Sequence, residues 1–379
     1  MGTQAFTAAA RDLATRTPIR WLYWMIMFAH PHPCALLRAL LLGGALAACG
    51  ASAQADTGWS ASVHFENDLF ADSDQQYTNG IKLTLVSSNL TSDFRDRREL
   101  PGWARRLIPY IPFIRDKGAA RTLAFSLGQN IYTPQDTAAR SLIPTDRPYA
   151  GWLYFGTTFQ TRDADRQDTF DAQLGLIGPY SFAEQTQDLV HRARDLAVAR
   201  GWDNQLRTEP GIVLAYERVL RWRLGGEPRG LSADLLPRFG GAVGNIATYA
   251  GIGAQLRAGW NLPPDFGYSV IRPGGTTAVD SLRDPDADDP TLARPRGFSV
   301  YLFAGGGGRA VLRDIFLNGN TFRDSHDVDH EPFVGDLLAG VTVGYGGLKL
   351  SLANVLRTRE FRGQPHDHRF GSLTLSYAF

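Results

Sequence analysis

Beyond residue 55, apolar and polar residues alternate through most of the chain. The last eleven residues show the pattern most clearly: Leu373, Leu375, Tyr377 and Phe379 alternate with Ser372, Thr374, Ser376 and Ala378. A period of two gives a strand two different faces. One greasy face and one small polar face, ending on an aromatic, fit lipid on one side and a polar lumen on the other. Trp59, Ala61, Val63 and Phe65 oppose Ser60, Ser62, His64 and Glu66 in the same way, and Leu348, Leu350 and Leu352 oppose Lys349 and Ser351. The pattern predicts twelve strands, at 59–67, 78–88, 121–131, 151–161, 167–177, 209–222, 229–241, 246–259, 297–312, 333–345, 347–360 and 369–379. An even number lets both termini lie at one rim, so the expected fold is all-β: a twelve-stranded antiparallel transmembrane β-barrel.

With both termini at the inner rim, connections after odd-numbered strands face outward, among them 68–77, 132–150, 178–208 and 313–332. Gly346-Gly347 is the short turn expected at the inner side. Two inner connections are longer than the pattern predicts. Residues 89–120 read as an amphipathic piece on the inner leaflet, and 260–296, rich in Pro, Gly and Asp, as irregular loop. The glycines at 305–308 mark a bend or a close approach.

Residues 181–199 break the alternation and predict a short helix in an outer loop. Ser181-Phe-Ala-Glu184 reads as a capping box, and Gly201 closes the helix. Glu184, Gln187 and His191 fall on one face. Ser181 is also a minor candidate for a nucleophile. His suits general-base work near neutral pH, although an isolated loop His is more often a packing residue. Tyr149, Trp152 and Tyr154 read as a headgroup-level aromatic belt. Asp203 and Glu209 are expected either to position the helix or to complete a cation's shell.

Composition narrows the function classes. The net charge of +1 implies no polyanionic partner such as nucleic acid. No segment of eighteen apolar residues exists beyond residue 55, which excludes a helical membrane protein. Arg38, the apolar run 39–48 and Ala53-Gln-Ala55 have the order of a secretory signal, dividing the chain into a leader, 1–55, and a barrel, 56–379. Leu46-Ala-Ala-Cys49 leaves lipoprotein processing as an alternative. The stretch before Met27 is open to reading as an upstream translation artefact. Both cysteines, Cys34 and Cys49, lie in the leader, so a chain cleaved after Ala55 has no thiol chemistry.

Several blocks together resemble a known family, the outer-membrane lipid A 3'-O-deacylases. They are His64-Phe-Glu-Asn67-Asp68-Leu-Phe70 with Tyr77-Thr78-Asn79-Gly80, Tyr132-Thr-Pro134 with Asp146-Arg-Pro-Tyr-Ala-Gly-Trp152, and Ile177-Gly-Pro179 through His191-Arg192. Gly201-Trp202-Asp203-Asn204, Phe316-Leu-Asn-Gly-Asn-Thr-Phe322 and Glu360-Phe-Arg-Gly-Gln364 continue the series. The resemblance implies a Ca2+-dependent esterase that removes the 3'-linked acyloxyacyl group from lipid A, the lipid anchor of lipopolysaccharide, in the outer leaflet of a bacterial outer membrane. It implies His191 as the base that activates water, with Gln187, Asn67 and Thr78 as further catalytic residues and Asp68 as a cation ligand. The chain departs from the family at Ala197, where better-studied members carry a carboxylate. Arg140 is the nearest match to a basic residue that contacts the inner-core sugar. A non-enzymatic pore or structural barrel and an outer-membrane phospholipase are the alternative readings.

Overall fold

In the computed structural model the described residues are 59–68, 76–87, 119–193, 195–227, 229–275 and 297–379. The leader and the connection 89–118 lie outside them. Gln54–Leu189 and Ala197–Phe379 form one unit; Val190–Leu196 belong to a second and are described by themselves.

The strands are β1 (Ser60–Asn67), β2 (Gln76–Val86), β3 (Ala120–Thr133), β4 (Ala150–Arg162), β5 (Arg166–Ile177), β6 (Glu209–Leu220) and β7 (Trp222–Gly226). They continue with β8 (Leu231–Gly244), β9 (Ala247–Trp260), β10 (Phe298–Asp314), β11 (Phe333–Tyr345), β12 (Leu348–Arg357) and β13 (His368–Ala378). Every neighbour pairs antiparallel, β1 pairs with β13, and β6 pairs with β8, so the sheet closes on itself. The sixth stave is broken at Arg221, whose N–H turns to the carbonyl of Asp165, and resumes as β7. Twelve staves therefore carry thirteen strands, in agreement with the sequence pattern.

Register and burial separate the two faces. On β2 and β3 the odd-numbered Leu83, Leu85, Phe125 and Leu127 are exposed, whereas Lys82, Thr84, Thr122 and Ser126 are buried. Apolar side chains thus face outward and polar ones inward, as an outer-membrane barrel requires. The lumen is not left to water. Residues 261–275, after β9, run up inside the barrel instead of lying at its rim as irregular loop. Asp265 pairs with Arg257 and with Lys349 at 2.9 Å, Tyr268 reaches His64 at 3.2 Å and Ser372, and the Ile271 N–H donates to Glu66 at 2.8 Å. Buried Phe266, Val270 and Ile271 supply the apolar share of this lumen segment. Inward-facing Gly251, Gly253 and Gly307 on β9 and β10 leave it room.

Trp152 and Tyr154 are not a headgroup belt. They are buried on the lumenal face, stacked 4.2 Å apart, and Tyr149 is covered by Trp202. β4 reads Trp-Leu-Tyr-Phe over 152–155, apolar on both faces, so its alternation does not say which face is inside.

Candidate functional site

At the rim where β1 ends, register places Asn67 opposite Asn79, Asn79 opposite Ile131, and Ile131 opposite Gly151. Directly paired residues share a face of the sheet. This row belongs to the outward face, continuous with exposed Leu83, Leu127 and Phe155. Asn67, Asn79 and Gln129 on that face are nevertheless buried. The barrel therefore carries a covered polar patch on its lipid side, near one rim.

The excursion 178–208 supplies part of the cover. Gly178 donates to the carbonyl of Gly151 at 3.1 Å, and Gln129 Nε2 donates to the carbonyl of Ser181 at 2.6 Å. Gly151 has no room for a Cβ, which would collide with the Ser181 hydroxyl and the Ala183 methyl. The first turn of the helix α1 (Ala183–Ala193) is thereby seated on the outer wall over β3 and β4. Strand spacing puts this seat roughly 14 Å from Asn67 along the rim.

The helix is shorter than 181–199 and begins differently. A 3-10 turn, Pro179–Ser181, precedes it, and Phe182 takes a left-handed conformation (φ 56°) between the two. Ser181 is not a helix cap: its hydroxyl donates to the carbonyl of Gly178 at 2.6 Å. That bond also occupies the group a nucleophile would need. The helix ends in its own turn, with the Leu196 N–H on the carbonyl of His191 at 2.8 Å and Asp195 at positive φ, so Gly201 does not close it. In the part of the helix that belongs to the barrel unit Ala183 and Gln187 are buried, while Leu189 is exposed; His191, in the second unit, is buried as well. Glu184 is half-buried; burial, then Asp188 and Asp203, push its carboxyl above the ordinary range.

Gln187 is held by Trp202, whose indole N–H donates to Oε1 at 2.8 Å. An indole can only donate, so the amide orientation is fixed and Nε2 is the free donor. It is buried and has no hydrogen-bond partner. Trp202 packs on Tyr149 at 4.9 Å, in a cluster with Ile131, Ala183 and Ala199. The sequence marked Trp202 only as part of a resembling block.

Asn67 and Asp68 stand together at the end of β1, both buried. Thr78 falls where the β2–β3 register slips between Tyr77 and Asn79, so it is the extra residue of a β-bulge. Bulges re-aim the chain and recur beside active sites. An oxygen-rich cation site fits here. Asp68 and Asn67 are oxygen donors, and the paired Asn79 has a buried Oδ1 with no hydrogen-bond partner. Such a set suits Ca2+ rather than a transition metal. Glu209 is not part of it; its carboxylate accepts from the N–H groups of Thr321 and Phe322 and from Asn320, tying two loops together. Asp203 and Arg140 are exposed. His326 and His330 bond the carbonyls of Asp146 (2.7 Å) and Val311 (3.3 Å).

Comparison with known proteins places the chain in a family and matches its fold. The model of the family described as outer membrane protein LpxR matches residues 36–379. No curated protein matches. Among solved structures, LpxR from Salmonella typhimurium is similar in fold, with a TM-score of 0.62 at 20% identity over 84% of this chain and 100% of that one. The β domain of the Bordetella autotransporter Brka aligns at a TM-score of 0.40 and 14% identity over 85% of this chain and 99% of that one, too loosely to carry an argument. The family match spans the whole barrel: this chain is a member of the outer membrane protein LpxR family.

Proposed function

We propose that this outer-membrane barrel is an ester hydrolase that removes the 3'-linked acyloxyacyl group of lipid A. The observation that carries the reading is the covered polar patch on the lipid-facing wall. A pore needs polar groups inside; an enzyme acting on a lipid ester needs them outside, and a buried outward-facing set near one rim, Asn67, Asn79 and Gln129, supports that reading. The filled lumen argues in the same direction, because residues 261–275 occupy the path a pore would require.

In this reading His191 takes a proton from water through a ring nitrogen as the oxygen attacks the ester carbonyl, then returns it to the departing alkoxide. Gln187, four residues earlier in the sequence, donates from Nε2 to the oxygen on which negative charge builds. Trp202 keeps that amide from flipping. Asn67 and Thr78 orient the substrate at the rim of β1 and β2. Asp68, with Asn67 and the Asn79 oxygen, would hold a Ca2+ ion, which when bound would supply Lewis-acid polarisation of the carbonyl. With a single carboxylate among these ligands, its affinity is expected in the weak, extracellular range of about 10⁻⁴–10⁻³ M.

The test uses the purified full chain in vesicles containing lipid A. Ester cleavage is expected with Ca2+, to stop with chelator, to return when Ca2+ is restored, and to fall by about 10²–10⁴ in His191→Ala. Cleavage indifferent to chelator removes the cation from the scheme, and an unaltered His191→Ala removes the base. Cleavage confined to glycerophospholipids instead identifies a phospholipase.

A further inference from the structure

On the side of the lumen away from β1–β4, glycines stand where the wall faces inward. Gly240, Gly251, Gly253 and Gly307 leave a recess, and residues 268–275 of the lumen segment line its other side, leaving a partly open cavity of about 90 Å3. Three guanidiniums line it, Arg238 from β8, Arg309 from β10 and Arg272 from the lumen segment, against two carboxylates, Glu217 and Asp336. Asp336 is shared three ways, with Arg272 at 3.0 Å, Arg309 at 3.1 Å and Arg357 at 2.7 Å. One carboxylate cannot neutralise three guanidiniums. Glu360 offsets part of the excess, yet it also serves Arg147 and Arg357. Arg238 has Glu217 as its nearby opposite charge, but its hydrogen bonds are the weakest of the three: Nη1 meets the Tyr268 carbonyl at 3.5 Å, and Nη2 has no hydrogen-bond partner.

We propose that this cavity binds one phosphate group, clasped by Arg238 and Arg309 from the wall and by Arg272 from the lumen segment. The guanidinium fork matches a tetrahedral oxyanion, and charge-assisted bonds of this kind are the strong ones. The volume is ample for a phosphate group together with ordered water. A bound phosphate joins the lumen segment to β8 and β10, so its effect is on the stability of the filled barrel. The inference is independent of the proposed esterase, since none of these residues belongs to that reading.

Thermal unfolding of the full chain in detergent micelles, with chloride exchanged for inorganic phosphate at constant ionic strength, tests it. The melting temperature is expected to rise saturably with phosphate. The rise should vanish in Arg238→Gln, while Arg238→Lys, which keeps the charge without the fork, needs on the order of tenfold more phosphate. Should Arg238→Gln fail to fold, Arg238→Lys and Arg309→Lys carry the comparison. A parallel series with intact and dephosphorylated lipopolysaccharide separates the two sources. A rise with inorganic phosphate alone identifies a free ion; a rise only with intact lipopolysaccharide, lost in Arg238→Gln, identifies a phosphate ester. No saturable rise in either series, or the same rise in wild type, Arg238→Gln and Arg238→Lys, overturns the site.

Discussion

Gln187 shows how much depends on a single hydrogen bond. Its amide could lie either way round were it not for Trp202, which can only donate and so turns Oε1 toward itself. In Trp202→Phe the ring still packs on Tyr149 but no longer orients the amide. With a neutral hydrogen bond worth about 1 kcal/mol, kcat is expected to fall by roughly five- to tenfold while KM and the melting temperature stay near wild type. A parallel loss of stability would mean that Trp202 is only packing. Ser181 gives the complementary test. Because its hydroxyl already donates to Gly178 at 2.6 Å, Ser181→Ala should retain most of the activity; abolished turnover in a folded variant would revive a serine nucleophile. Neither bond was legible in the sequence. Ser181 three residues before a glutamate satisfies the rule for a capping box, and only the left-handed Phe182 shows that the helix starts later.

Among the elements, strands were the readable part, because lipid and lumen impose opposite demands on successive residues. β1, β2 and β12 alternate over most of their length, Asn67 and Asn79 breaking the apolar face only at the rim, and their register follows. β4 is apolar on both faces at 152–155, so the alternation left its orientation open, and the structure turns Trp152 and Tyr154 inward. The docking of α1 was hidden for a different reason: it depends on an absence, the missing side chain of Gly151. Gly151→Val is expected to push Ser181 and Ala183 off the wall, abolishing ester cleavage while leaving a barrel that migrates as a folded species in unheated gels. Retained cleavage would show that the helix need not sit on β4. The β12–β13 loop carries a charge device of its own. Burial alone would raise the Glu360 carboxyl, but Arg357, Arg147 and Arg309 together hold it below the ordinary range. Its contribution is complete above an unfolded value of about 4.3 and is lost as pH falls through the lower folded value. Thermal unfolding followed from about pH 6 down to about pH 3 should therefore lose less stability in Glu360→Gln than in wild type.

For the molecule as a whole, the lumen segment bears on whether the barrel is an open channel. Residues 261–275 have no periodicity to read, and their partners Arg257, Lys349 and Glu66 look from sequence like ordinary lumen-facing residues. Only the inward glycines hinted that something had to fit. Asp265 sits between Arg257 and Lys349, and its removal takes a carboxylate from both, although Arg257 keeps Asp234; breaking a buried pair on one side costs about 3–5 kcal/mol. Planar bilayers with wild-type protein should show no single-channel steps, whereas Asp265→Ala should show intermittent ones as the segment loosens. Steady conductance by wild type would mean that the lumen is open.

The central claim is that chemistry takes place on the outside of the wall, on the lipid anchor of lipopolysaccharide. The most direct measurement is the mass spectrum of lipid A from cells carrying the wild-type chain, His191→Ala, or no copy. The account predicts a species lighter by one acyloxyacyl group with the wild type alone. Identical spectra from all three, with each barrel confirmed folded in the outer membrane, would contradict it.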